Sequence, residues 1–141
     1  MASYMSNYTI DALIAWMRGT TFPAVPANIY AAAFTVKPAA DGTGGTEVTG
    51  GSYARVALAT AAGSWTAPAT VSTNRQTKNN AAINFPTATA NWGTVVGIGW
   101  YDASSSGNLL WYDDLTSSQT VNNGFQLTVP VNNLQRNWNN A

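Results

Sequence analysis

Asp102, Asp113 and Asp114 are the carboxylates best placed for chemistry, at or near the ends of two segments, 94–102 and 109–113, that read as the arms of a hairpin. A glycosidase works with two carboxylates about 5–10 Å apart beside aromatic rings. Trp100, Tyr101, Trp111 and Tyr112 supply such rings. The competing reading is structural, and it is preferred: Asp102 opens the turn through an Asx-type hydrogen bond and Asp113-Asp114 closes the strand.

A second oxygen-rich stretch is Asp41-Gly-Thr-Gly-Gly-Thr-Glu47. It lacks the acidic spacing of an EF-hand and the Gly-Lys-Ser/Thr ending of a P-loop, so it reads as a flexible loop. Arg55, between strand residues, reads as a paired internal or interface arginine, with Glu47 or Asp102 as its partner. The chain has no histidine and no cysteine, which removes the usual acid/base and thiol nucleophile near neutral pH. The expectation is a non-enzyme with no catalytic residues, no metal and no cofactor.

The elements that must position these groups are rich in aromatic residues and poor in charge. The sequence of 141 residues holds 6 Trp, 6 Tyr and 4 Phe against 9% charged residues, where ordinary soluble domains carry about 25%. Buried aromatics of ~150–250 Å² each can hold a fold together without disulfides or metal. Weak self-repulsion suits packed, static contacts with other chains. The 6 basic and 6 acidic side chains cancel and the basic ones are scattered, so no nucleic-acid partner is expected. The apolar runs fall short of the ~18 residues of a membrane span. The first eight residues lack the pattern of a signal peptide, so synthesis in the cytoplasm without a cleavable export signal is expected.

Periodicity divides the chain into an N-terminal arm (1–27), a β-domain (28–131) and an Asn-rich tail (132–141). Ile10, Leu13, Ile14 and Met17 recur at i, i+3, i+4 and i+7, which predicts a helix over about 10–18 with one apolar face. Thr9 would be its N-cap, Asp11 would complement its positive end, and Gly19 would follow its C-terminus. That face is expected to pack on the β-domain or on a neighbouring subunit, because so short a helix is marginal alone.

Strands are predicted at 28–36, 52–58, 81–85 (stopped by Pro86), 94–102 and 109–113. A further hairpin is expected of Thr120-Val121 with 125–131 around Asn122-Asn123-Gly124. In the first arm of the main hairpin Val95, Gly97, Gly99 and Tyr101 would share one face, and Val96, Ile98 and Trp100 the other. Residues 59–80 are poor in apolar side chains, with Trp65 and Val71 as anchors. The tail is expected to cling to a neighbour or stay disordered. The fold class is mainly β: a single antiparallel β-sandwich or jelly-roll-like barrel with one N-terminal α-helix.

Several segments in order carry a specific resemblance: Tyr30-Ala-Ala-Ala-Phe-Thr35, Gly44-Gly-Thr-Glu-Val-Thr-Gly-Gly-Ser-Tyr-Ala-Arg55, Asn80-Ala-Ala-Ile-Asn-Phe-Pro-Thr-Ala-Thr-Ala-Asn-Trp-Gly-Thr94, Gly97-Ile-Gly-Trp-Tyr-Asp-Ala103, and Gly107-Asn-Leu-Leu-Trp-Tyr112. Together with Leu115-Thr116 and Thr120-Val-Asn-Asn-Gly124 they make the chain similar, over roughly residues 8–131, to a family of small tailed-phage virion proteins. These are known as tail fibre proteins, and some members are capsid decoration (cement) proteins with a compact β-sandwich.

The resemblance implies a structural role in the virion, on the capsid surface or the tail. The leading expectation is a cement protein that binds the major capsid protein as a homotrimer. The alternative is a tail-borne receptor or carbohydrate-binding module whose partner is a host surface glycan, with the aromatics of the hairpin stacking on the sugar. A glycan hydrolase is the weakest reading. The interface and packing residues expected are Ile10, Leu13, Ile14, Met17, Tyr53, Arg55, Trp92, Trp100, Trp111 and Tyr112.

Overall fold

The computed structural model describes residues 3–139; the extreme ends of the arm and of the tail lie outside them. In chain order the elements are β1 (Ser3–Met5), α1 (Asn7–Met17), β2 (Asn28–Val36), β3 (Thr46–Glu47), β4 (Val56–Ala59) and β5 (Ala69–Val71). They continue with β6 (Asn74–Lys78), β7 (Ile83–Thr87), β8 (Gly93–Tyr101), β9 (Leu109–Val121), β10 (Gln126–Val129) and β11 (Gln135–Asn139). All strand pairs are antiparallel. The main sheet runs β1-β9-β8-β2, and the outer edge of β2 pairs first with β4 and then with β3. Two small sheets, β10-β7 and β11-β6-β5, complete the fold. The architecture is a mainly β, sandwich-like fold with one helix and no closed barrel.

Alternation along β2 explains the layers. Ile29, Ala31 and Ala33 point into the larger core with Ile83, Phe85, Leu127 and Val129 from the β7–β10 layer. Ala32 and Phe34 point the other way and form a smaller cluster with Tyr101 and Leu109. Gly99 makes that second cluster possible: a Cβ there would stand 2.7 Å from the Phe34 ring.

The main hairpin forms as expected, but its parity changes partway. Gly97 pairs with Asp114 whereas Val95 pairs with Gln119, so β9 carries extra residues at a bulge. A bulge shifts which side chains face inward. Val95 therefore joins Ile98 and Trp100 in the core instead of facing away from them. It also explains why Thr120 and Val121 are the end of β9 rather than a separate strand. The expected hairpin with 125–131 does not form as a ladder, since β10 pairs with β7. Pro86 does not stop β7 either. It lies where the β7–β10 register shifts, a place where a missing N–H is tolerated.

The C-terminal segment is a strand of this chain, not a loose tail. β11 pairs with β6 from Gln135↔Lys78 to Asn139↔Asn74. Asn79, fully buried, fastens its start: its amide donates to Ala81 O (2.7 Å) and Pro130 O (2.9 Å), and its Oδ1 accepts from Leu134 N (3.0 Å). In the 59–80 segment Trp65 is half-buried against the core, while Val71 is exposed and anchors nothing.

Candidate interface and aromatic–arginine site

The helix starts three residues earlier than predicted. Ser6, not Thr9, is the N-cap, its hydroxyl accepting from Thr9 N at 3.2 Å. Thr9 is used elsewhere: its hydroxyl donates to Leu110 O at 2.6 Å, and the Ser6 hydroxyl donates to the same carbonyl at 2.9 Å. This double bond to β9 ties down the first turn. Asp11 consequently lies beyond the first turn, which holds no acidic residue. At the other end Gly19 adopts φ +89° while Thr20 N donates to Ala15 O and Gly19 N to Trp16 O. That is the Schellman arrangement, whose left-handed residue glycine fills without strain.

Helical geometry decides where the predicted stripe points. Tyr8, Thr9 and Ala12 border the body of the protein, and at ~100° per residue Ile10, Leu13, Ile14 and Met17 fall on roughly the opposite side. They are exposed, from 39% for Ile10 to 75% for Met17, and no residue of α1 is buried. Within one chain the stripe does not pack on the β-domain. Trp16, Phe22 and Val25 are exposed as well.

Of the other expected residues Trp92 and Trp100 are buried and Tyr53, Arg55, Trp111 and Tyr112 are half-buried. Arg55 meets Glu47 and not Asp102: Nε donates to Oε1 at 2.8 Å and Nη2 to Oε2 at 2.7 Å. Its Nη1 donates to Ser106 O (2.8 Å) and Ala103 O (3.1 Å), and its guanidinium lies 3.8 Å over the Tyr101 ring. The Tyr53 hydroxyl donates to Glu47 Oε1 at 2.8 Å and accepts from Ala33 N at 2.9 Å. Burial, with Glu47 beside it, pushes that phenol well above its usual range. Trp92 is buried edge-on against Tyr53, its indole donating to Gly51 O at 3.0 Å.

The three aspartates are not brought together as an acid/base pair. Asp102 accepts from Asn108 through both oxygens, at 2.7 Å from the backbone and 2.8 Å from the side chain. Asp113 pairs with Ile98, four residues from Asp102, or ~13 Å along a strand. Asp114 points to the opposite face, where Lys37 meets it at 2.6 Å; that hydrogen bond raises the lysine pKa. In the 41–47 stretch, Asp41 accepts from the Thr43 amide and hydroxyl at 2.9 and 2.8 Å, closing the loop on itself and lowering its pKa.

Behind the hairpin lies a cluster that sequence periodicity did not reveal. Trp100 is fully buried and donates to Asp113 Oδ2 at 2.7 Å. Its ring stacks on Trp111 at 6.0 Å and meets Trp65 edge-on at 5.8 Å. Arg136 from β11 inserts here with its guanidinium 3.6 Å from the Trp111 ring centre and 3.9 Å from that of Trp65. It is 5% exposed, and burial lowers its pKa to about 9, an effect that Asp113 opposes. Burial likewise raises Asp113. Tyr112, on the other face, stacks on Tyr4 at 5.1 Å. The rings expected as a sugar platform thus have faces occupied by their own chain. A signal for Arg136 existed: Leu134, Arg136 and Trp138 alternate at strand spacing among the asparagines.

Residues 4–137 match the family described as Podophage GP4 fiber I protein gp80. No curated protein matches the chain.

Proposed function

Because the chain belongs to the Podophage GP4 fiber I protein gp80 family and is thus a tailed-phage virion structural protein, we propose that it acts as a capsid decoration protein, binding the assembled head shell as a homotrimer. The observation that carries this reading is the outward stripe of Ile10, Leu13, Ile14 and Met17. Contiguous exposed apolar surface on a soluble chain marks an interaction site. Obligate interfaces are large and apolar, and a surface with so little charge favours such contacts over steered, transient ones. Two partners are served in this reading: sister subunits in the trimer, and the major capsid protein beneath it.

The mechanism is mass action. A protein that binds the assembled shell and not its free subunits adds free energy of disassembly at each site it occupies. Small increments then sum over the lattice. The word "fiber" in the family description favours a second reading, attachment to the tail with contact to a host surface glycan. Particles lacking the protein separate the two. A cement predicts normal assembly and release of DNA at lower temperature than in complete particles. Unchanged heat resistance with slow adsorption to host cells would overturn the cement and support the tail module. At micromolar concentration, light scattering is expected to give the mass of a trimer, free or recruited on the shell.

A further inference from the structure

The arm formed by β1 and α1 is fastened to the body at its N-terminal end. β1 pairs with β9 from Ser3↔Asp113 to Met5↔Trp111, and Tyr4 stacks on Tyr112 at 5.1 Å. Ser6, 1% exposed, donates to Leu110 O through its amide (3.1 Å) and its hydroxyl (2.9 Å), and Asn7 N donates to Ala40 O at 2.8 Å. Beyond Thr9, among the described residues, the helix forms no hydrogen bond to the body, and none of its residues is buried.

The connection from this arm to β2 is of a different kind. Residues 18–27 belong to no helix or strand, and 18–25 are all exposed. Among the described residues, 21–25 form no hydrogen bond. Pro23 and Pro26 offer no N–H and fix their φ angles, which keeps the segment from folding back as helix. Beneath it, between Phe22 and Val25 on one side and Trp65 and Trp111 on the other, lies an apolar cavity of about 370 Å³. Protein interiors are close-packed, so the segment bridges the body rather than packing on it. Connections between elements are mostly ~4–6 residues long. At ~3.3 Å per residue the stretch 18–27 reaches roughly 33 Å when extended, about the diameter of a small domain.

A completed docking site at one end of an arm, and an unbonded, proline-stiffened connection at the other, are the two parts that an exchange between copies needs. We propose that in the trimer each β1–α1 arm docks on β9 of a neighbouring copy, residues 18–27 crossing from one subunit to the next. This inference rests on the trimer of the preceding reading and names how that trimer is built. The acceptor surface is the edge of β9 at 110–113 with Ala40 beside it. An arm of one copy on the body of the next is a head-to-tail contact, which closes as a ring of three. The exchanged contacts are the same as those within a chain, so by themselves they favour neither form. What favours the ring is the stripe of Ile10, Leu13, Ile14 and Met17, which each arm carries onto its neighbour and removes from water.

The chain has no cysteine, so one engineered pair reports alone. Tyr4 and Tyr112 are directly opposed in the β1–β9 ladder, and such residues lie about 4.5–5.5 Å apart at Cα, within the span of a disulfide. The variant Tyr4→Cys with Tyr112→Cys is oxidised with copper–phenanthroline, both as purified protein and bound to particles, and run on a non-reducing gel. Covalent trimers that collapse to single chains on reduction are the expected result in at least one of the two samples. Light scattering separates the two ways to fail. Intrachain bridges in a species of trimer mass overturn the exchange and leave the trimer standing, whereas intrachain bridges in a species of monomer mass, free and after release from particles, overturn both. Should the double variant fail to fold, the wild type decides. In trimers refolded from equal parts of carbon-13-labelled and unlabelled chain, a nuclear Overhauser contact between Tyr4 and Tyr112 of differently labelled chains supports the exchange. A contact confined to chains of the same label overturns it.

Discussion

The two inward-facing arginines of this protein solve the problem of a buried cation in opposite ways. Arg55 has a carboxylate on its fork, two carbonyls on its third nitrogen and a tyrosine ring beneath it. Arg136 has rings on its faces and no acceptor at Nε or Nη2. The first is a closed network whose members, Glu47, Tyr53 and Arg55, fix the 47–55 loop against the Ala103–Ser106 turn. The second keeps its strongest donors uncommitted. Guanidinium stacking on tryptophan is worth up to ~2 kcal/mol when desolvated, enough to hold the side chain in place without consuming its hydrogen bonds. The first is held by hydrogen bonds, the second by ring stacking and the nearby Asp113 charge.

The sharpest way to break this contrast is to unbalance the closed network. Glu47→Ala removes the partner of Arg55 and one partner of Tyr53, leaving a charge that is 9% exposed without its carboxylate. A loss of about 3 kcal/mol in urea unfolding is expected, near the lower end for breaking a buried pair. A cost under ~1 kcal/mol would show that solvent already screens Arg55, and that the two arginines differ less than their contacts suggest.

Arg136→Met should cost less, about 1–2 kcal/mol. The substitution gives up ring stacking and the charge opposing Asp113, but it also removes donors that have no acceptor in the chain. Without Arg136, burial should drive the Asp113 pKa further upward. An acid whose folded pKa exceeds its unfolded value stabilises the fold below the unfolded pKa, and that contribution is lost as pH rises through the folded one. The variant should therefore lose its deficit relative to wild type in acid, starting from a higher pH than burial of Asp113 alone would set. A loss as large as that of Glu47→Ala at pH 7 would mean that Arg136 is as fully engaged as Arg55.

A smaller effect separates the two cations by pH. Burial lowers the Arg136 pKa to about 9, so between pH 9 and the unfolded value the unfolded chain binds more protons than the native one. Stability then rises with pH in that window. Wild type should gain on Arg136→Met by about 1 kcal/mol between pH 8 and pH 10, at ~1.4 kcal/mol per pH unit above the pKa. Arg55 shows no such lowering, and its variants should show no such slope.

How far these differences could be read from the sequence depends on what each residue answers to. The Arg55–Glu47 pair was legible because a lone arginine among aromatic and apolar residues demands a partner, and a glutamate stands eight residues away. Strand 28–36 was legible to its ends, because alternation and small residues leave one reading. The helix was legible from its period and its terminal glycine, but not its start, since Ser6 and Thr9 are both competent caps. The bonds to Leu110, 104 residues away from Ser6, decide which one serves. The bulge in β9 and the pairing of β10 with β7 were hidden for the same reason: non-local registers leave no local mark. Arg136 was missed because asparagine content outweighed a short alternation that only its pairing with β6 makes visible.

The smallest effect on the fold should fall on the apolar stripe of α1, which stands to the main core as Arg136 stands to Arg55. Ile14 is 48% exposed and touches neither core cluster. Replacing it by serine should change unfolding by no more than ~0.5 kcal/mol, the usual range for surface positions. Ile29, 4% exposed and within the core, should lose ~2–5 kcal/mol on truncation to alanine. If the stripe is the contact with sister subunits or shell, Ile14→Ser paired with Leu13→Ser should leave monomer stability intact while removing the trimer mass and retention on purified particles. A double variant that unfolds several kcal/mol more easily would mean that the stripe is buried within the chain in solution. A double variant of normal stability that still forms trimers and still binds particles would free α1 from the interface, and leave the exposed surface around Phe22 and Val25 as the face to test next.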